Sequence, residues 1–158
     1  GSRATSTCDL SDTHGDDARV VAPVLRHFGG RRAFHGEAVT IKCFEDNSRV
    51  KETVATPGLG RVLVVDGGGS LRCALLGDML ATQARDQGWS GVVVFGCVRD
   101  VAVLATLDLG IMALAATPRR SQRRGEGQVG IAIDLAGTRC APGDLVHADD
   151  DGIVLLRP

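Results

Sequence analysis

The chain has 158 residues, a length that suits one domain and leaves room for a real core. Hydrophobic residues make up 44% and charged residues 23%, with a net charge of −1, which argues against a disordered chain and against a nucleic-acid binder of the strongly basic kind. Four Phe, one Trp and no Tyr are too few for a platform that stacks single-stranded RNA.

Gly1-Ser2 reads as a remnant of tag removal and residues 1–4 as a disordered start, leaving residues 5–158 as a single domain. Thr5 to Ala18 is polar and opens with a short helix near Asp9-Leu10-Ser11-Asp12. Pro23 and Gly29-Gly30 interrupt the stretch between Ala18 and the first strand. Ala38 to Cys43 gathers β-branched residues and reads as that strand. Asn47 or Ser48 is placed to cap a short helix through Val50–Val54, and Pro57-Gly58 with Gly60 turns the chain into the next element. Val62-Leu63-Val64-Val65 is an unbroken apolar run, the signature of a buried strand in a parallel sheet. Gly67-Gly68-Gly69 comes next, where backbone must pass close to something or take positive φ. Gly77-Asp78 then opens a helix over Met79–Gln87 that stops at Gly88.

A second apolar run, Val92-Val93-Val94-Phe95, leads to Gly96-Cys97-Val98-Arg99-Asp100. In a parallel β-α-β unit both strands end on one sheet edge, so the helix start at Asp78 and the Arg99-Asp100 pair face one crevice. Val101 to Leu107 reads as a helix with Asp100 at its start, and Ile111–Ala115 as another strand. Thr117 to Gly127 is a loop carrying Arg119, Arg120, Arg123 and Arg124: a solvated loop, a holder for a distal carboxylate, or a contact for an acidic partner. The last third turns to short elements around Ile131–Leu135 and Cys140–Asp144. Asp151-Gly152, between Leu145–Ala148 and Ile153–Leu156, signals a hairpin.

The five cysteines, Cys8, Cys43, Cys73, Cys97 and Cys140, are widely spaced and include no Cys-x-x-Cys, which points to reduced thiols in a cytosolic protein. No apolar run reaches membrane-spanning length. The histidines, His14, His27, His35 and His147, lack metal-ligand spacing. The glycine run has neither the ending of a phosphate-binding Walker loop nor a clean Gly-x-Gly-x-x-Gly. Asp78 alone is an ordinary helix cap and Arg99-Asp100 alone an ordinary surface ion pair. Their convergence on one edge is what points to function.

Asp78, twenty residues, then Arg99-Asp100 resembles the Asp…Arg-Asp signature of the metal-dependent 4-hydroxy-4-methyl-2-oxoglutarate aldolases. Val64 to Arg72, Gly96 to Asp100, Phe28-Gly29-Gly30-Arg31, Cys43 to Asn47 and Ala148 to Ile153 likewise resemble the RraA-like family, named for a regulator of ribonuclease E activity. The resemblance implies an α/β fold, a swivelling β/β/α domain with a central β-α-β unit and a C-terminal β-hairpin region, assembled as a ring-shaped homotrimer. It implies a cytoplasmic lyase, a class II aldolase that cleaves 4-hydroxy-4-methyl-2-oxoglutarate to pyruvate and decarboxylates oxaloacetate. The alternative is a non-catalytic protein that binds and inhibits ribonuclease E. Neither direct nucleic-acid contact nor a membrane is implied.

Cleaving off a pyruvate unit requires an enolate to be stabilised. A Schiff-base lysine is disfavoured, because the chain has only Lys42 and Lys51, neither at the crevice. A divalent cation, Mg²⁺, Mn²⁺ or Co²⁺, that polarises the 2-keto oxygen is the other route. The resemblance assigns Asp100 as the direct metal ligand and Asp78 as a ligand through water, a sparse set that suits a hard cation. Arg99, with Asp78 the catalytic pair, would bond the substrate's carboxylate and keto oxygen. The amides of Gly77, Asp78, Met79 and Leu80 would hold the pyruvyl carboxylate. No motif for S-adenosylmethionine is present, although some relatives are labelled menaquinone methyltransferases.

Overall fold

The computed structural model describes residues 5–158, so the expectations for residues 1–4 lie outside it. The elements run α1 (Thr7–His14), a 3-10 turn, β1 (Arg19–Val20), β2 (Arg26–His27), β3 (Phe34–Lys42), α2 (Ser48–Val54), β4 (Val62–Asp66), β5 (Ala74–Leu76) and α3 (Asp78–Asp86). They continue with β6 (Gly91–Val98), α4 (Val101–Leu104), β7 (Gly110–Ala116), β8 (Gln128–Val129), β9 (Ile133–Leu135), β10 (Thr138–Cys140), β11 (Leu145–Asp149) and β12 (Gly152–Leu156).

The main sheet has the order β1-β12-β11-β3-β4-β6-β7-β2, with β5 beside β6 and β8 beside β3. From the second half of β3 through β4, β6 and β7 the strands are parallel. The first half of β3 instead pairs antiparallel with β11, whose hairpin with β12 continues the sheet. One strand therefore serves two differently paired halves.

The period of two along the parallel strands sorts the side chains into two buried layers. Leu63, Val65, Val92, Val94 and Ile111 face the helices, meeting Val50, Val54, Ala81, Ala84 and Leu104. Val62, Val64, Val93 and Met112 face the other way, onto Ile133, Leu135, Val146, Ile153 and Leu155 of the terminal strands. Both faces are covered, which is why these strands read as unbroken apolar runs. The Phe34 ring lies across the starts of β6 and β7. A Cβ on Gly91 or Gly110 would overlap that ring, so both positions exclude any side chain. A smaller cluster packs Leu10 of α1 and Ala18 on Val154 and Leu156.

Two helix expectations change in the structure. The segment after Asp100 is helical only over Val101–Leu104, because the chain must turn at once to enter β7. Asn47 does stand at the N-cap of α2, but its side chain makes no capping bond; the Asp46 carboxylate, one residue earlier, accepts from the Ser48 amide at 2.8 Å. The hairpin joins β11 to β12 through Asp150-Asp151, with Gly152, at φ 139°, already the first residue of β12.

Candidate active site

Every parallel strand ends on the same edge, and in open α/β sheets that edge is where ligands bind. The segments delivered there are Cys43–Asn47 after β3, the glycine loop after β4, Gly77–Leu80 after β5, Arg99-Asp100 after β6 and the arginine loop after β7.

The glycine loop turns out to serve packing. The amides of Gly67 and Gly69 both donate to the Phe95 carbonyl, at 3.1 Å each, and the Asp66 carboxylate takes the Gly68 amide at 2.9 Å. A Cβ on Gly68, at φ 67°, would stand 2.8 Å from the Phe44 ring. The other close neighbours of this loop are the side chains of Leu75 and Phe95.

The decisive element is β5, which sequence reasoning missed. It takes up the edge of β6 beyond the end of β4, pairing Ala74 with Cys97 and Leu76 with Val98. The Arg99 amide then donates to the Leu76 carbonyl at 2.9 Å, locking the start of α3 beside Arg99-Asp100. Gly77 is the N-cap of α3 and Asp78 its first residue. Asp100 is the N-cap residue of α4, in left-handed backbone (φ 58°, ψ 39°), but its side chain makes no bond to that helix. Its Oδ2 accepts instead from the Asp78 amide at 3.1 Å, and the Arg99 Nε lies 3.9 Å from the same oxygen. A Cβ on Gly77 would sit 2.8 Å from Asp100 Oδ2 and 3.3 Å from Arg99 Nε, so this glycine permits the approach. Of the four amides assigned to a substrate carboxylate, that of Asp78 is committed to Asp100. Those of Gly77, Met79 and Leu80 find no partner among the described residues, as the first turn of a helix dictates.

A cleft of about 480 Å³ opens here. Asp78, Met79 and Arg99 form one wall; Arg120, Ser121 and Arg123 form the other. Asp100 borders a shallower neighbouring depression of about 220 Å³, with Arg99 common to both. Among the four loop arginines, Arg123 lines the cleft, Arg119 and Arg124 line a separate cavity, and Arg120 lines both. Ser121 is buried with its Oγ unpartnered. The five cysteines are all free, four of them buried, and burial pushes the Cys97 thiol up, which makes it a packed group in the strand end.

Two residues to which sequence reasoning gave no part in the site hold the far wall. Asn47 donates from Nδ2 to the Leu75 carbonyl at 3.1 Å and accepts from Arg123 Nε at 3.0 Å, fixing that guanidinium over the cleft. Asp46 is fully buried. Its carboxylate accepts from the Ser48 amide and hydroxyl and from the amides of Arg124 and Glu126, tying α2 to the arginine loop. The available signal was an Asp two residues before a Ser at a helix start, an Asx-turn pattern.

Burial alone would raise the Asp46 carboxyl, but the bonds from Ser48, Arg124 and Glu126 outweigh it and hold the group at about 2. The depressed value means stability that is full above the ordinary carboxylate range and lost as pH falls through about 2. Asp46→Asn, which removes the charge from these bonds, is expected to cost about 2–3 kcal/mol at neutral pH. In urea titrations the gap from the parent chain should stay level at neutral pH and narrow below about pH 4. A gap independent of pH down to about pH 2 would show that the charge contributes nothing.

Among the described residues no group of three His, Cys, Asp or Glu side chains is arranged to hold a metal ion. What the edge offers is two carboxylates, Asp78 and Asp100, beside an open cleft. That oxygen-only, under-filled set fits a hard cation that keeps most of its waters, and does not fit a structural transition-metal site.

Fold and site together define a mixed α/β protein with an anion-receptive cleft on the C-terminal edge of a curled, largely parallel sheet. The chain belongs to the RraA-like family: the Aldolase/RraA model matches residues 7–155. A protein of Pseudomonas syringae pv. tomato with the provisional name 4-hydroxy-4-methyl-2-oxoglutarate aldolase is 54% identical over 94% of this chain and 92% of its own. The structure of the RNA-processing inhibitor RraA from Thermus thermophilis matches with a TM-score of 0.94 and 44% identity, covering 98% of this chain and 94% of that one. A structure described as an S-adenosylmethionine:2-dimethylmenaquinone methyltransferase from Geobacillus kaustophilus HTA426 matches at a TM-score of 0.93 and 40% identity, covering 97% and 95%.

Proposed function

We propose that the chain is a divalent-metal-dependent class II aldolase and decarboxylase, cleaving 4-hydroxy-4-methyl-2-oxoglutarate to pyruvate and oxaloacetate to pyruvate and CO₂. The observation that carries this reading is the meeting of Asp78, Arg99 and Asp100 with three free amides on one sheet edge. A binding surface has no use for that combination. Asp100 would hold the cation directly and Asp78 through water. When bound, the cation supplies Lewis-acid polarisation of the 2-keto oxygen.

The chain's own residues do the rest. The free amides of Gly77, Met79 and Leu80, at the positive end of α3, bind the pyruvyl carboxylate. The Arg99 guanidinium forks onto that carboxylate and the keto oxygen, and meets the negative charge that grows there as the C3–C4 bond breaks. Arg120 and Arg123 face the distal carboxylate from the opposite wall. Asp78, whose carboxylate accepts no hydrogen bond among the described residues, orders water at the mouth of the cleft.

The test is pyruvate release from oxaloacetate in the presence and absence of cation. Activity should vanish with excess chelator and return with Mg²⁺, Mn²⁺ or Co²⁺. Full turnover in chelator, or a pyruvate adduct trapped by borohydride, would overturn the reading.

The family membership also supports a swivelling β/β/α domain working in the cytoplasm as a ring-shaped homotrimer. In keeping with assembly, Met79 at the cleft rim is 81% exposed. No helix is long and apolar enough to cross a membrane among the described residues. Light scattering should return the mass of three chains; a concentration-independent monomer would count against the ring. A second reading, inhibition of ribonuclease E by direct binding, is favoured by the match to the Thermus inhibitor.

A further inference from the structure

A second cavity, of about 730 Å³, lies on the other side of the arginine loop from the candidate cleft. Arg72 enters it from the segment after the glycine loop, and Arg119, Arg120 and Arg124 from the loop after β7. Glu45 is the one carboxylate in its lining, and it is already engaged: Oε2 accepts from Ser70 Oγ at 2.6 Å and from Arg72 Nε at 2.5 Å. Arg72 is held further by the Phe44 ring, 5.8 Å from its guanidinium. The side chains of Arg119, Arg120 and Arg124 make no ion pair among the described residues. In a chain of net charge −1, four guanidinium groups and one carboxylate thus share one concavity.

The backbone that carries these arginines is fastened. The Ala74 amide donates to the Arg119 carbonyl at 2.7 Å, and a parallel bridge joins Ala74 to Arg120. The Arg124 amide donates to buried Asp46 at 2.7 Å, and the Gly125 amide to Ser48 Oγ at 3.0 Å. A floppy basic loop would spread its like charges into water. Here both ends are pinned, so the cations stay gathered around a single carboxylate, and an anion entering the cavity relieves their mutual repulsion. Arginine forks match the paired oxygens of phosphates and carboxylates, and a cavity this size exceeds what one small oxyanion fills.

We propose that this cavity is a binding site for a compact polyanion, a molecule carrying linked phosphate or carboxylate groups with at least three negative charges between them. Arg72, Arg119 and Arg124 hold it, and Arg120 reports it to the cleft. Arg120 and Gln122 line both cavities, so a polyanion that draws Arg120 over weakens the grip on a substrate's distal carboxylate. That coupling, though not the binding, rests on the aldolase reading.

The experiment titrates the intact protein by calorimetry in metal-free buffer, with inorganic pyrophosphate and tricarballylate as probes. Orthophosphate and sodium chloride of matched ionic strength are the controls. One polyanion per chain should bind, and Arg119→Ala/Arg124→Ala should weaken it at least about tenfold while Arg99→Lys leaves it unchanged, as expected when charge-assisted bonds are lost. Preference for pyrophosphate or for tricarballylate identifies the phosphate or the carboxylate source. In oxaloacetate assays at fixed free cation, the polyanion should raise KM for the parent chain and not for the double variant, whose own turnover is normal. Binding that vanishes at matched ionic strength, survives the double variant, or is lost with Arg99→Lys overturns the site. Binding that behaves as stated with no change in KM overturns only the coupling through Arg120.

Discussion

Arg99→Lys is expected to lower kcat on oxaloacetate by about 10²-fold or more while leaving cation affinity nearly unchanged. The lysine keeps the positive charge but loses the planar fork that bonds a carboxylate and a keto oxygen together. A loss of that size is typical when one oxyanion donor is removed. Asp100→Asn should do the reverse. It keeps shape, and the amide oxygen still accepts from the Asp78 amide, but the charge that attracts the cation is gone. Metal binding should weaken, and excess metal should recover part of the rate. Metal titration by calorimetry beside steady-state kinetics separates the two. If Arg99→Lys abolished metal binding and Asp100→Asn preserved it, the roles proposed for the pair would be reversed.

Gly77→Ala should be nearly as damaging by a different route. Gly77 has extended backbone, φ −132°, that any residue adopts, so the added methyl brings no backbone strain. It would stand 2.8 Å from Asp100 Oδ2 and 3.3 Å from Arg99 Cγ and Nε. Both side chains are more than a third exposed and free to swing away, so the fold accepts the change while the site does not. A misplacement of about 1 Å is enough to lose about 10²-fold in turnover. The expected result is a collapse of kcat/KM with a thermal midpoint close to the parent's. Normal kcat/KM would falsify the claim that the approach of α3 to Arg99-Asp100 matters; a large fall in midpoint would mean the methyl disturbs more than the site.

The strands β4, β6 and β7 were legible because both faces of the parallel sheet are covered and the sequence there is continuously apolar. The α3 helix was legible from its formers and its glycine stops, and the convergence of Asp78 with Arg99-Asp100 followed from the β-α-β rule. What was not legible depended on contacts across the sequence. Ala74–Leu76 is too short for a periodic signal, and it becomes a strand only by taking the edge of β6 that β4 leaves free. The glycine run asked for close approach or positive φ without saying to what; Gly68 and Gly69 take positive φ, and the neighbours are Phe44, Leu75 and Phe95. Nothing local distinguished Arg123, which Asn47 fixes over the cleft, or Arg120, which lines both cavities, from Arg119 and Arg124. Asp46 went unread because its partners, other than Ser48, lie in the distant arginine loop.

The sharing of β3 between two sheet halves has a kinetic consequence. Its second half pairs with β4, the next strand in the chain, whereas its first half waits for β11, made close to the C-terminus. The parallel half with its helices can therefore assemble while the near part of β3 still presents an open edge, which only the hairpin of β11 and β12 covers. During synthesis that edge stays bare until the final strands emerge, the interval in which a chain is most open to pairing with the wrong neighbour. Pairing across so much intervening chain is slow to form, so closure of this seam, like that of β1 on β12, belongs to the late phase of refolding. Changes at the β3–β11 seam should thus alter the rate of acquiring the native state more than changes at the β6–β7 pair.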